Sequence, residues 1–227
     1  MGVYSIILPV RNGGGYFKTC VNSVLNQTYP HFNLHILDNC STDGTSEWIQ
    51  SINDSRIIYL PADKPLAIEE NWARILQIPK NKFMTMIGHD DVLLPDYLSV
   101  IDTLIEKHPD ASLYQTHFRY INGNSAFIRN CLKMEENITP GFFLEKILNL
   151  VIDINGTGFM VRSSDYNAVG VFLHIPIYFL QILPYGLKLQ KKNIWLFQFT
   201  IVFLIGYTVV SQQARQMKNS IVLLKNM

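Results

Sequence analysis

The sequence predicts an α/β fold, a three-layer α/β/α sandwich around a mainly parallel sheet. Three observations predict it. Short apolar runs begin at residues 4, 34, 57 and 83. Each leads into a polar, turn-forming string, and a helix-forming stretch follows each one. Strands and helices alternating in this way bury a parallel sheet beneath helices on both faces.

Taken in order, residues 4–10 (YSIILPV) form a buried strand that ends in Arg11, Asn12 and the glycines 13–15. Phe17, Val21, Val24 and Leu25 then recur at helical spacing. Residues 34–38 (LHILD) form a second strand, closed by the turn-rich string NCSTDG and followed by a helix over 45–51. The third strand is 57–60, with a helix over 68–77. The fourth is 83–87 (FMTMI), ending at Gly88, His89, Asp90 and Asp91, with a helix from Pro95 to Lys107. No internal repeat or low-complexity tract interrupts this order.

Composition narrows the function classes. The chain has 227 residues and is 48% hydrophobic and 16% charged, with a net charge of +1. That excludes a disordered chain and a sequence-wide nucleic-acid binder. Three cysteines, Cys20, Cys40 and Cys131, stand at unpatterned spacing, which predicts neither a zinc site nor a disulfide framework and favours a reducing, cytoplasmic compartment. The first ten residues lack a basic region and read as a strand, not a signal peptide.

A compositional boundary falls near Gly170. Residues 1–170 hold 13 Lys and Arg with 18 Asp and Glu, whereas residues 171–227 hold 6 Lys and Arg and no acid. At the upstream frequency about six acids would fall in that stretch. Beyond the boundary lie two uncharged runs of 17 residues, 171–187 and 194–210, at the short limit for a membrane-spanning helix. The expected organisation is therefore a 1–170 domain and a 171–227 apolar tail.

In open α/β sheets, ligands bind beyond the carboxyl ends of the strands. Here that rim carries Arg11 and Asn12 from the first strand, Asp38 from the second, and Asp90 with Asp91 from the fourth. An aspartate at a strand end also reads as a helix cap or turn former, but three coincident strand ends argue for a shared site. Two adjacent carboxylates repel unless a cation compensates them, and Mg²⁺ or Mn²⁺ bound to one or two carboxylates and a diphosphate suits such a pair. His89 reads as a polar rim residue, and Cys20 and Cys40 as inert cysteines. Glycines 13–15 could cradle a phosphate, yet they lack the Lys and Ser/Thr of a P-loop.

These strings resemble the family-2 glycosyltransferases of GT-A fold. The resemblance is carried by SIILPVRN at 5–12, CVNSVLNQTY at 20–29, ILDNCSTDGT at 36–45 and GHDDVLLPD at 88–96, with GTGFMVR at 156–162 followed by Asp165 and Gly170. It implies a nucleoside-diphosphate sugar donor, its base and ribose near Pro9, Arg11, Asn12, Asp38 and Asn71. It further implies a metal, Mg²⁺ or Mn²⁺, at Asp90 with Asp91 in support, and a saccharide or lipid-linked saccharide acceptor. The implied setting is bacterial surface-polysaccharide synthesis, in the cytoplasm or at the inner face of the cell membrane.

The sequence departs from the family at three places. Glu70 precedes Asn71 where the family often has Arg, and Gly88 replaces the first acid of an Asp-x-Asp-Asp run. The third departure is larger. Beyond Gly170 the family's Ala-Asp-Phe-Ala-Leu-Trp pattern, which supplies or flanks the general base, and its Tyr-Arg-x-His-Ser stretch are both missing. No catalytic base is therefore assigned. Read from the third base of each codon, permitted codons for 180–191 can give Ala-Asp-Phe-Ala-Leu-Trp-Ile-Glu-Ile-Thr-Lys. The same offset can give Tyr-Arg-Val-His-Ser from 204–209 and Gly-Gly-Phe around Gly170 and Val171. Three motifs in one frame and in family order predict a slip of reading frame near residue 171. The alternatives are an inactive nucleotide-sugar-binding remnant, or a membrane-associated enzyme whose two apolar runs form a hairpin flanked by Lys188, Lys191, Lys192, Arg215 and Lys218.

Overall fold

The structure is a computed structural model and describes residues 3–149, 151–153, 155, 157–169 and 201–211. Its first half alternates as the apolar runs require. β1 (Tyr4–Val10) leads to α1 (Gly14–Leu25), β2 (Phe32–Asp38) to α2 (Thr45–Gln50), and β3 (Ile57–Pro61) to α3 (Ile68–Ala73) with a 3₁₀ turn at Arg74–Leu76. β4 (Phe83–Met86), the short β5 (Val92–Leu93) and α4 (Tyr97–Lys107) follow. The second half comprises β6 (Leu113–Ile121), β7 (Phe127–Asn130), β8 (Asn137–Ile138), α5 (Pro140–Leu148), β9 (Met160–Arg162), α6 (Ser163–Val169) and β10 (Ile201–Ser211).

Among the described residues, one sheet carries all ten strands in the order β3-β2-β1-β4-β9-β6-β10-β5, with β7 on β6 and β8 on β10. The β3-β2-β1-β4 half is parallel throughout, with Tyr4 opposite both Phe32 and Phe83. β9 then runs antiparallel between β4 and β6. All seven residues of β1 are buried, as a central strand covered on both faces requires. On α1, Phe17, Cys20, Val21 and Val24 are buried at spacings of three and four residues, the stripe that packs onto the sheet. At the amino ends of the strands, Tyr4 donates its hydroxyl to Asp102 of α4 and meets Tyr29 edge-on.

Two expectations are revised. The 68–77 helix is α-helical only to Ala73 and tightens at Arg74, whose side chain is drawn to strand carbonyls described below. Within the second apolar run, residues 201–211 form β10, parallel to β6 and antiparallel to β5 and β8, so those eleven residues are sheet where a membrane hairpin calls for helix. Residues 171–187 and 194–200, the lysines at 188, 191 and 192, Arg215 and Lys218 lie outside the described residues. Among the described residues, no helix is long and apolar enough to cross a membrane.

Candidate active site

The carboxyl ends of β2, β1 and β4 meet on one rim. Val10 pairs with Asp38, and the Ile87 N–H donates to the Ile7 carbonyl at 3.0 Å, so the chain bearing Asp90 and Asp91 leaves beside the end of β1. Pro9 is buried between them and lies past the last β1–β4 pair, Ile7 with Met86, where a missing N–H costs that ladder nothing.

Asp38 is 1% exposed and fully occupied. Its Oδ1 accepts from the Ser41 N–H (3.1 Å) and hydroxyl (2.6 Å), and its Oδ2 from the hydroxyls of Ser46 (2.5 Å) and Tyr59 (2.7 Å). Burial pushes the carboxyl up, but the donors outweigh it and hold Asp38 below the usual carboxylate range. The turn-forming role and a place at the rim thus coexist in one residue.

Arg11 and Asn12 are exposed at the end of β1. Asn12 has φ 54°, in the left-handed region that asparagine tolerates better than most residues. Its N–H donates to Ser41 Oγ (2.9 Å), and its Oδ1 accepts the Thr42 N–H (2.8 Å). The Gly13 N–H donates to Thr45 Oγ1 (3.2 Å) and the Gly14 N–H to Asp43 Oδ2 (3.0 Å). The loop after β1 is thereby stapled to the loop after β2. This corrects the phosphate-cradle reading of glycines 13–15, since two of those amides are spent inside the protein. Gly13 is needed for space as well: a Cβ there would sit 2.5 Å from Phe17 Cβ.

Asp90 and Asp91 face each other over Gly88. A Cβ added to Gly88 would lie 2.9 Å from Asp90 Oδ1 and 3.0 Å from Asp91 Oδ2, so both oxygens converge on the space that glycine leaves open. Asp91 is 0% exposed and its Oδ2 accepts the Thr157 hydroxyl at 2.6 Å. An all-oxygen pair around one point fits a hard divalent cation. Among the described residues, no group of three or more His, Cys, Asp or Glu side chains could hold a metal, so further ligands would come from a substrate. Beneath the pair, the Cys20 thiol contacts the Gly88 carbonyl (3.4 Å). Burial, then the charges of Asp91 and Asp90, push that thiol up, which keeps it protonated and inert.

Asn71 is not brought to the open rim. It is 4% exposed, donates to the Leu37 carbonyl (3.2 Å) and accepts from Arg74 (2.9 Å), bracing β2 from behind. Arg74 donates further to the carbonyls of Asp38 (3.3 Å), Leu60 (2.7 Å) and Pro61 (2.9 Å). It lines a surface cavity of about 390 Å³ with Pro61, Ala62, Asp63, Lys64 and Leu66. Asn39 pins that loop, exchanging hydrogen bonds with Leu66 in both directions (2.8 and 2.7 Å). Sequence reasoning missed Ser46, Tyr59, Thr157 and Arg74. Only Ser41, three residues after Asp38 in a turn, carried a local signal.

Residues 5–170 match the glycosyl transferase family 2 description. The chain belongs to that family. Among curated relatives, TuaG of Bacillus subtilis, assigned to teichuronic acid biosynthesis, is 35% identical over 98 residues, 41% of this chain and 38% of TuaG. The Escherichia coli protein WfgD, a UDP-Glc:alpha-D-GlcNAc-diphosphoundecaprenol beta-1,3-glucosyltransferase, is 29% identical over 123 residues, 53% of this chain and 47% of its own. Both matches span less than half of the relative's length. Among solved structures, Staphylococcus aureus TarS residues 1–349 superpose with a TM-score of 0.71 at 17% identity, over 96% of this chain and 62% of that 1–349 chain. That likeness establishes the GT-A-type fold of this family 2 member.

Proposed function

We propose that this family 2 member transfers a sugar from a nucleoside-diphosphate donor to an acceptor hydroxyl, assisted by Mg²⁺ or Mn²⁺, in surface-polysaccharide synthesis. The observation that carries the reading is the convergence of the Asp90 and Asp91 oxygens over Gly88, beside the end of β1. A cation held there, completed by diphosphate oxygens, would neutralise charge on the departing diphosphate. The chain's own residues divide the remaining work. Asp38 fixes the turn at 39–44, Asn12 and the glycine amides lock that turn to β1, and exposed Arg11 offers a cation to the diphosphate. Pro9 and Asn71 shape and brace the floor. A saccharide or lipid-linked saccharide acceptor agrees with WfgD, which acts on a diphosphoundecaprenol-linked GlcNAc, and we place the reaction in the cytoplasm at the inner membrane face.

The acceptor hydroxyl must lose a proton as it attacks the anomeric carbon. The acid-free stretch 171–227 offers no carboxylate for this, and we read it as out-of-frame translation on the compositional break and the three offset motifs. The 180–191 motif lies outside the described residues. On this reading the chain as written binds donor but transfers little sugar.

Calorimetry on the full chain tests the site. Uridine or guanosine diphosphate is expected to bind only with Mg²⁺ or Mn²⁺ present, Asp90→Asn to abolish the metal-dependent part, and Asp110→Asn, at an exposed loop position, to change little. Equal binding with and without metal overturns the assignment.

A further inference from the structure

The carboxyl end of β6 stands at the same rim as the acidic pair. β4 and β6 each run antiparallel to β9, so they are parallel to each other. Beyond the rim β6 continues into a hairpin whose residues 122–130 are all exposed. Two fastenings hold this arm. The Tyr16 hydroxyl donates to the Gly123 carbonyl at the arm's turn (2.8 Å), and Tyr16 stands one helical turn before Cys20, which touches the Gly88 carbonyl. Arg129 stacks on Tyr120 at 4.1 Å and donates both terminal nitrogens to Asp153 (2.7 and 2.9 Å). Asp153 also accepts the Leu132 N–H at 2.8 Å. Around these fastenings lie four exposed apolar side chains, Phe127 (59%), Ile128 (50%), Leu132 (46%) and Val151 (51%).

We propose that this arm seats on an anionic lipid surface through Phe127, Ile128 and Leu132, with Arg119 and Lys133 beside them, and so turns the cleft toward a lipid-linked acceptor. The inference rests on the sugar-transfer reading above and names the surface that meets the membrane. An exposed apolar patch bordered by polar residues marks a protein or a lipid partner. Shape argues against a strand partner: β7 pairs only with β6 among the described residues, but a bulge at Ile128 and the charge of Arg129 spoil its open edge as a template. Lipid needs neither hydrogen-bond register nor the area of roughly 800 Å² per partner that a protein interface typically buries. Charge selects the kind of lipid. Residues 111–134 hold Arg119, Arg129 and Lys133 and no acid. Glu135, Glu136 and Asp153 are matched by Lys146, Lys107 and Arg129. Arg119 and Lys133 enter no ion pair among the described residues, so the arm carries two uncompensated cations, as an anionic surface requires.

The test uses the full chain with vesicles of phosphatidylglycerol and phosphatidylcholine, or of phosphatidylcholine alone. The runs beyond residue 170 are apolar enough to bind lipid on their own, so the readout must be local to the arm. Phe127→Trp adds an indole to Trp48, Trp72 and Trp195. Brominated acyl chains are expected to quench the added fluorescence in anionic vesicles and to leave it in neutral ones. In that background Ile128→Ser is expected to raise the lipid concentration for half-maximal quenching about tenfold, and Lys133→Ala about fivefold. No quenching beyond that of wild type overturns the proposal, as does equal quenching by neutral vesicles. A wild-type chain that sediments as a dimer and becomes a monomer with Phe127→Ser also overturns it, by assigning the arm to a second copy. Mn²⁺-dependent binding of uridine or guanosine diphosphate is measured on the same samples and is expected to stay within about twofold of wild type. If a nucleotide binds and position 127 is not quenched, the lipid surface falls alone. If neither nucleotide binds even the wild-type chain, the sugar-transfer reading has failed, and this inference falls with it.

Discussion

The Thr157 hydroxyl donates to Asp91 Oδ2 at 2.6 Å, joining the loop before β9 to the acidic pair after β4. These residues are 66 positions apart, and β9 is inserted antiparallel beside β4 to bring them together. The Gly158 N–H reinforces the junction by donating to the Met86 carbonyl at 2.8 Å, and Tyr97 donates its hydroxyl to the Gly158 carbonyl at 3.2 Å. The loop before β9 thus orients the carboxylate that faces Gly88.

Thr157→Val keeps the shape and removes that donor. A buried charged acceptor losing one hydrogen bond costs about 1.5–3 kcal/mol. Chemical denaturation is expected to register a loss of this size, and metal-dependent nucleotide binding is expected to weaken. Binding and stability equal to wild type would show that Asp91 is oriented by other contacts.

Gly88→Asp installs the acid that family-2 glycosyltransferases usually carry there, and here it is expected to harm. The new Cβ would stand 2.9 Å from Asp90 Oδ1 and 3.0 Å from Asp91 Oδ2. The carboxylates must swing away, and a third negative charge joins two that already repel. Metal-dependent binding of a nucleoside diphosphate is expected to fall, as read by calorimetry. A gain in affinity would mean that the pair shifts without loss and that the third oxygen donor helps.

Asp38 sets an acid limit on stability. Its folded carboxyl titrates below the unfolded value of about 3.9, so its contribution is complete above that value and drains away as pH falls through the folded one. Asp38→Asn removes the charge and sets an amide against the Ser46 and Tyr59 hydroxyls, at a cost of about 2–3 kcal/mol near neutral pH. The gap between wild type and variant is expected to close as denaturation curves are taken below about pH 4. A gap independent of pH would show that shape, not charge, is what Asp38 contributes.

How much of this was legible in the sequence depends on the range of each interaction. The four parallel units were readable because strand and helix follow each other locally, and Asp38, Asp90 and Asp91 were readable because they end apolar runs. The occupancy of Asp38 was not. Ser46 and Tyr59 reach it only because α2 packs beside β2 and because β3 pairs in the register that sets Ile36 opposite Tyr59. Arg74 looked like an ordinary helical residue, and its role depends on carbonyls of two strands that periodicity cannot place. Thr157 and Asp91 needed an antiparallel insertion that breaks the repeating pattern. The apolar content of 194–210 suits a lipid span and a sheet strand equally, so composition alone does not foretell that 201–211 form β10.

His35 gives a second pH signature in a different window. It is 2% exposed within β2, and burial, with Lys80 nearby, lowers its imidazole to about 4. The unfolded ring takes a proton near 6.5 while the folded ring refuses it until about 4, so the unfolded state binds more protons between those values. Stability is therefore expected to rise with pH across that window. His35→Leu is expected to flatten the slope there without touching the acid limit set by Asp38. An unchanged slope between pH 4 and 6.5 would assign the dependence to other groups.

The last prediction separates the frame slip from a genuine tail. If the coding sequence slipped near residue 171, a single-nucleotide repair restores Asp, Glu and His at family spacing and removes both 17-residue apolar runs. The repaired chain is then expected to be more soluble and to transfer sugar, since the acceptor hydroxyl regains a base. If the tail is instead a working anchor, the same edit destroys it. Fractionation of the unedited protein cannot decide, because an uncharged run such as 194–210 could partition into lipid under either history. The edited protein decides. A repaired chain that stays inactive and aggregates, beside an original that sediments with membranes and turns over donor, ends the frame-slip reading; the converse ends the anchor.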